Sequence, residues 1–499
     1  MAFHHASFLL LFLASWAAYW LLPALARLAQ RRGGEPGEPA AVGSRRDVAT
    51  SLQHAVLMLA SVAFYLYAGP LDTAILIGTV GVCFLFAAGL DHASGRHKSL
   101  WLALGVGASL GILGYFKYRG FVVSNVNRLL GTRLPVAAPG IPLGISFYVF
   151  QLVAYLTDLK RGQIAREKSF GRLLLYVLFF PHSQAGPIMR PGKFLPQFYG
   201  PKAWSSPLAK AGAWWILLGL TKKCLADALA PAVDELFALA AVGPVASWQA
   251  WRAALGFGFQ IYGDFSGYSD MAVGLGLLLG YRLDLNFAQP YTSSDPSEFW
   301  RRWHITLSSW LRDYLFLPIA YALSRRLDRQ RYAGIRVDHL TYAVATLATM
   351  LLGGLWHGAS WMFVLWGAIH GLLLVAHRAR PKLFRRRPLG VTLTFLLVTA
   401  AWVPFRSADL GQCWRILGAM VGLGRGAGDS LGAWAWQVLW SACIVGAFWL
   451  ELGLVRNVAR LERVWTALPA PVRGLVLGSG VTAIVLSLSS QTSFVYFRF

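Results

Sequence analysis

Residues 340–377 read LTYAVATLATMLLGGLWHGASWMFVLWGAIHGLLLVAH. As one α-helix these 38 residues would extend about 57 Å. The hydrocarbon core of a bilayer is only about 30 Å thick. The run is therefore two membrane segments, or one broken by Gly358 and Gly367. Two His-Gly pairs, at His357 and His370, interrupt it. An imidazole in hydrocarbon needs a partner or a polar cavity. Many intramembrane histidines are packing residues, but glycines surround His357, and Trp356 and Trp361 flank it. Gly353, Gly354 and Gly358 admit another backbone or a ligand. In an unbroken helix, His357 and His370, 13 positions apart, would lie roughly 140° and about 20 Å apart. His357 is then the reactive candidate and His370 a structural residue, so His370→Ala is expected to cost less activity than His357→Ala.

Similar apolar runs fill the rest of the chain, at about 7–26, 52–69, 71–90, 100–116, 139–156, 171–189, 211–239, 253–281, 306–323, 389–405, 434–454 and 472–489. The expected fold is all-α, a polytopic membrane helix bundle of about 11–13 membrane segments, some interfacial or re-entrant. Composition agrees. Of 499 residues 56% are hydrophobic and 14% charged, against roughly 25% charged in soluble domains. A soluble globule and a disordered chain are both excluded. Cys83, Cys224, Cys413 and Cys443 are too few and too scattered for a disulfide framework or a zinc knuckle. The net charge is +24, but the basic residues sit in short loops between apolar runs, which reports orientation and not nucleic-acid binding. The first span has no basic n-region before it and is read as retained. Arg27, Arg31, Arg32, Arg45 and Arg46 make residues 27–47 a cytoplasmic loop, with the N-terminus outside. Residues 377–387 form the most basic loop and are cytoplasmic by the same rule. One integral-membrane domain, 1–499, is expected, with no internal repeat.

Three further stretches depart from a plain bundle. Residues 286–314 place Trp300, Trp303, Leu307 and Trp310 at helical spacing, after a cap at Ser294 and Pro296 in the first turn. Glu298, Arg301, Arg302, Arg312 and Asp313 lie between them. This reads as an amphipathic, interfacial helix, with His304 as its unusual member. Residues 262–280 carry Asp264 and Asp270 in an apolar helix, to pair with Arg301 or Arg302 or to line a polar path. In residues 180–190, prolines on both sides of Ala185-Gly186 break any helix. Broken backbone at membrane depth is tolerated only beside protein or a cavity.

Taken together, these strings resemble the membrane-bound O-acyltransferase (MBOAT) family, nearest its bacterial branch of alginate O-acetylation and teichoic-acid D-alanylation proteins. The matching pieces are residues 113–118, 142–151, 180–181 with 185–188, 264–272, 298–304 and 354–359, with an aromatic end at 494–499. The motif-rich core runs from about 110 to 371. The resemblance implies helices around a central funnel. It also makes His357 the essential histidine of the Trp-His-Gly string, and His304 the second, in the Arg-Trp-His string. One departure stands out: after Trp310–Tyr314 the chain reads LFLPIAYALSRR, where alginate-type members often carry a Gly-Gly-Asn-Arg stretch.

O-acyl transfer needs a base for a hydroxyl, and a neutral imidazole suits that near pH 7. No Gly-x-Ser-x-Gly elbow is present. The reading assigns catalysis to His357, as general base, and His304, orienting a substrate or stabilising the oxyanion. Trp303, Trp356, Asp264 and Arg302 are the candidates for substrate contact. No metal and no bound cofactor are expected. By resemblance the donor is a cytoplasmic thioester, acetyl-coenzyme A as co-substrate, whose phosphates suit the basic loops. The acceptor is the hydroxyl of an extracytoplasmic polysaccharide, reached through a periplasmic partner protein, from the bacterial inner membrane. The tail 494–499 is a candidate docking element. D-alanyl transfer is the alternative chemistry. A transporter should show repeated halves, which are absent, and a scaffold without chemistry leaves the intramembrane histidines unexplained.

Overall fold

The computed structural model describes residues 6–33, 42–136 and 140–424, together with Gly446, Pro469, Pro471 and Val472. The apolar runs at 434–454 and 472–489, Cys443 and the aromatic tail 494–499 lie outside the described residues. Among the described residues the regular elements are helices and one short hairpin, Arg331–Tyr332 with Ile335–Arg336. Seven of its helical stretches are long and apolar enough to cross a membrane, so this is a multi-pass membrane protein. Within the described residues, the other expected segments fall on shorter or more polar helices.

The chain divides into two compact units. The first, residues 1–219 with 268–286, contains α1 (Ala6–Gly33), α2 (Val42–Ala68), α3 (Pro70–His92), α4 (Gly95–Leu113), α5 (Arg119–Leu130), α6 (Ile145–Lys160), α7 (Phe170–Leu178) and α8 (Pro191–Phe194). It shares with the second unit the long helices α9 (Ser206–Val242) and α10 (Ser247–Leu278). A π-helical turn, Gly114–Tyr118, joins α4 to α5. Its Lys117 donates to the Ser146 hydroxyl at 3.1 Å.

The two prolines of 180–190 have the expected effect. α7 stops after nine residues, and residues 179–189 continue as buried, non-helical backbone. Protein groups take up that backbone, as they must away from water. Tyr65 donates to the Ser183 carbonyl at 3.2 Å, Tyr176 donates to that of Met189 at 2.7 Å, and the Ser61 hydroxyl accepts from Phe180 N–H. Gly144, at φ 69°, is required here, since a Cβ would meet the Ser183 carbonyl oxygen at 2.6 Å. The strings 142–151 and 180–188 are thus parts of one packing arrangement.

The second unit, residues 220–267 with 287–499, contains α11 (Pro296–Arg302), α12 (Ile305–Leu311), α13 (Leu317–Arg326), α14 (Val337–His357), α15 (Trp361–Ala379), α16 (Arg387–Arg406) and α17 (Leu410–Met420). The run 340–377 is two helices. α14 ends at His357, Gly358 is extended at φ −166°, and the Ser360 hydroxyl caps α15 by accepting from Met362 N–H at 3.2 Å. The glycines set how closely the pair packs. A Cβ on Gly354 would meet the Phe363 carbonyl oxygen at 2.2 Å, and one on Gly367 would meet that of Met350 at the same distance. It is another backbone, then, that these glycines admit. Gly354→Val is expected to cut folded yield severalfold, read by detergent size-exclusion chromatography of the tagged protein. Wild-type yield and melting temperature would show that the hairpin opens at no cost.

Candidate functional site

The stretch expected to be one amphipathic helix is two. Asp295, not Ser294, caps α11, its carboxylate accepting from Glu298 N–H at 2.7 Å. The Ser294 N–H and hydroxyl instead both donate to Glu298, at 2.7 Å each. Glu298 also pairs with Arg302, whose guanidinium donates to Thr292 Oγ1 at 2.9 Å. Burial opposes the charge on Glu298, but the Ser294 hydrogen bonds and the Arg302 guanidinium hold its carboxyl below the usual carboxylate range. After Arg302 the chain turns a corner. His304 takes up φ 42°, and its carbonyl starts α12 by accepting from Ser308 N–H at 2.9 Å. Leu307, Trp303 and Trp310 are buried, so the tryptophan stripe packs inside the protein and is no mere interfacial anchor.

A left-handed histidine costs of order 1–3 kcal/mol and persists where its surroundings over-determine it. The His304 ring, fully buried, meets the edge of Phe265 at 4.6 Å, stacks on Phe287 at 6.4 Å and faces Trp356 at 6.1 Å. Burial lowers its pKa to about 3, so the imidazole is neutral at physiological pH. His304→Gly, which relieves the backbone, is expected to be about 1 kcal/mol more stable than His304→Ala. Urea-dependent unfolding of the two variants in detergent measures this, and equal stabilities would remove the strain argument.

His357 closes α14 from the other side. Its ring lies edge-on to Trp356, Trp366 and Phe405, with centroids at 5.0, 5.0 and 5.2 Å. The Trp356 indole thus touches both histidines, which are 53 positions apart in sequence. Trp303 lies one layer away, with centroids 5.0 Å from Phe287 and 4.8 Å from Trp402. Arg302 sits at the rim of this unit, held by Glu298 and Thr292 as described.

Two expectations need correction. Asp264 does not pair with Arg301 or Arg302. Its carboxylate lies 2.9 Å from Lys223, which also holds Asp227 at 2.5 Å, and all three side chains are buried. A Lys and an Asp four apart inside the apolar run 211–239 was the available signal, but which aspartate of 262–280 they meet is a tertiary fact. The angular separation of His357 and His370 also fails, because its premise was an unbroken helix. α14 and α15 fold back on each other, and the Trp366 ring touches His370 at 4.7 Å as well as His357 at 5.0 Å. Trp366 and Phe405, both in contact with His357, carried no sequence signal beyond being aromatic.

The family description "MBOAT, membrane-bound O-acyltransferase family" matches residues 150–398, which include His304, His357 and His370. The chain is 33% identical over 401 residues to a Helicobacter pylori protein named "Peptidoglycan O-acetyltransferase", covering 74% of this chain and 73% of that one. The chain belongs to the membrane-bound O-acyltransferase family. Its similarity to other family members extends to differently named activities. It is 41% identical over 348 residues to "Probable alginate O-acetylase AlgI" of Azotobacter vinelandii, a match that spans 68% of this chain and 65% of that protein's length. It is 30% identical over 243 residues to a "Teichoic acid D-alanyltransferase" of Streptococcus thermophilus, covering 48% of this chain and 57% of that protein.

Proposed function

We propose that this membrane protein is an O-acyltransferase, moving an acetyl group from a cytoplasmic thioester, acetyl-coenzyme A, across the bacterial inner membrane toward hydroxyls of an extracytoplasmic polysaccharide. The observation that carries the proposal is the pair of buried imidazoles, His304 and His357, on separate elements around one Trp356 indole. Two histidines sharing an aromatic enclosure suit proton transfer at a carbonyl centre, and ionisable groups within membrane proteins are commonly functional. His357 takes the proton of the acceptor hydroxyl as its oxygen forms a C–O bond to the acyl carbon. The C–S bond then breaks, and the leaving thiolate collects the proton from His357. His304, neutral, orients a substrate through its ring nitrogens. Trp303 and Trp356 wall the acyl path. Asp264 acts through Lys223, and Arg302 offers its remaining donors at the rim.

The named relatives that are O-acetylases favour an acetyl group and a glycan acceptor. The similarity to a D-alanyltransferase keeps D-alanyl as the competing acyl group. A second protein on the outer side is proposed to take the acyl group, since the described residues provide only short connections between helices and no glycan-binding module of about 100 residues. Purified protein in liposomes, with labelled acetyl-coenzyme A inside and polysaccharide outside, tests both parts. Label is expected in the polymer only when periplasmic extract is added. Efficient labelling without extract would sink the partner. Label from D-alanyl thioester but not from acetyl thioester would reassign the acyl group. The absence of transfer from either would reject the reaction.

A further inference from the structure

His370 was expected to be structural, and its surroundings argue otherwise. Its imidazole is buried within an aromatic box, with centroids 4.7 Å from Trp366, 5.1 Å from Trp300, 6.1 Å from Phe299 and 6.4 Å from Trp402. Three nitrogens in this box are buried and make no hydrogen bond within the protein: His370 Nε2, Trp366 Nε1 and Trp300 Nε1. The indoles of Trp300 and Trp366 touch each other, with centroids 5.7 Å apart, and Trp366 also touches His357. A buried indole N–H ordinarily finds an acceptor. Each one left without carries its desolvation cost and gains nothing in return. Three such atoms on mutually touching rings, one ring away from the proposed base, call for a hydrogen-bonding guest.

We propose that Trp300, Trp366 and His370 form the subsite for the acyl carbonyl, the two indole N–H groups donating to its oxygen. This rests on the acyl-transfer reading above. As the acceptor oxygen attacks the acyl carbon, the carbonyl π pair moves onto the carbonyl oxygen and makes it an oxyanion. Indole N–H groups strengthen their hydrogen bonds to it in a water-poor site, where such donors have most effect. When the oxyanion collapses, the C=O bond re-forms and the C–S bond electrons leave with the thiolate. His370 Nε2 hydrogen-bonds the acceptor hydroxyl or a water beside the same carbon. The indoles move no proton, so their removal acts on turnover and not on the base.

Trp300→Phe and Trp366→Phe keep an aromatic ring and remove the N–H. Membranes carrying each full-length variant are given labelled acetyl-coenzyme A, with polysaccharide and periplasmic extract. Incorporation per molecule of protein is followed over a range of donor concentrations. Each variant is expected to lose about 10²-fold in kcat, with KM for the donor changed by less than about threefold. His370→Phe, which keeps the packing and deletes both nitrogens, is expected to lose at least about tenfold in kcat. Should the phenylalanine variants fold poorly, 3-benzothienylalanine at 300 or 366 preserves the indole shape without the N–H, and the same loss is expected. Turnover within threefold of wild type in well-folded variants overturns the subsite alone. A wild type that transfers no label overturns the acyl-transfer reading, and the subsite with it.

Discussion

His357→Ala is expected to lower acyl transfer by about 10²–10⁴-fold, the range general base catalysis supplies, while the protein accumulates in the membrane near the wild-type level. In the proposed reaction His357 is the group that takes the proton of the acceptor hydroxyl. His304 reaches the same Trp356 indole, but its own ring also packs against Phe265 and Phe287. Truncation also leaves a hole among Trp356, Trp366 and Phe405, so a second variant separates chemistry from packing. His357→Phe fills the aromatic enclosure and deletes the proton acceptor, and is expected to be as inactive as His357→Ala. The measurement is ester content of the extracellular polysaccharide, normalised to protein abundance, in cells whose only copy is the variant. Near-normal ester content with either variant would remove His357 from the reaction.

Lys223→Met is expected to destabilise the second unit by about 3–5 kcal/mol, the usual cost of removing one partner from a buried ion pair. The methionine fits the volume, but it removes the ammonium that lies within 3 Å of both buried carboxylates, Asp227 and Asp264. The loss comes from the missing positive charge beside two buried carboxylates. The triple variant Lys223→Met, Asp227→Asn, Asp264→Asn is accordingly expected to recover most of that stability. Thermal unfolding in detergent, followed by tryptophan fluorescence, compares the two. If the single variant unfolds at the wild-type temperature, the triad is not a buried charge cluster. If the triple is as unstable as the single, the cost lies in lost packing. Activity gives a separate reading, because Phe265 follows Asp264 and carries the edge against which the His304 ring rests. A stable triple variant with reduced turnover would mark the triad as positioning His304.

Amino-acid order alone determined the class of this protein. Apolar runs of span length leave a chain no other solvent than lipid, and proline or glycine at 181, 187 and 358 interrupts helices wherever the chain folds, because a missing N–H or a missing Cβ acts locally. The candidate string at 354–359 was legible for the same reason, since a histidine in an apolar run is costly in any fold, and that at 298–304 because its histidine stands out in an amphipathic stretch. Tertiary structure decided which of these meet. At His304, where helical spacing promised a continuous helix, the chain turns a corner with Trp303 and Leu307 both buried, so tertiary packing overrides local propensity there. Asp264 found Lys223 and not Arg301 or Arg302, since ion pairing in low dielectric follows proximity across helices, which sequence distance does not report. His357 met the Trp366 ring, which His370 touches from four residues further along α15, because α14 and α15 reverse at Gly358 and close through Gly354 and Gly367. A turn angle is a property of two packed helices, and no periodicity within either one encodes it.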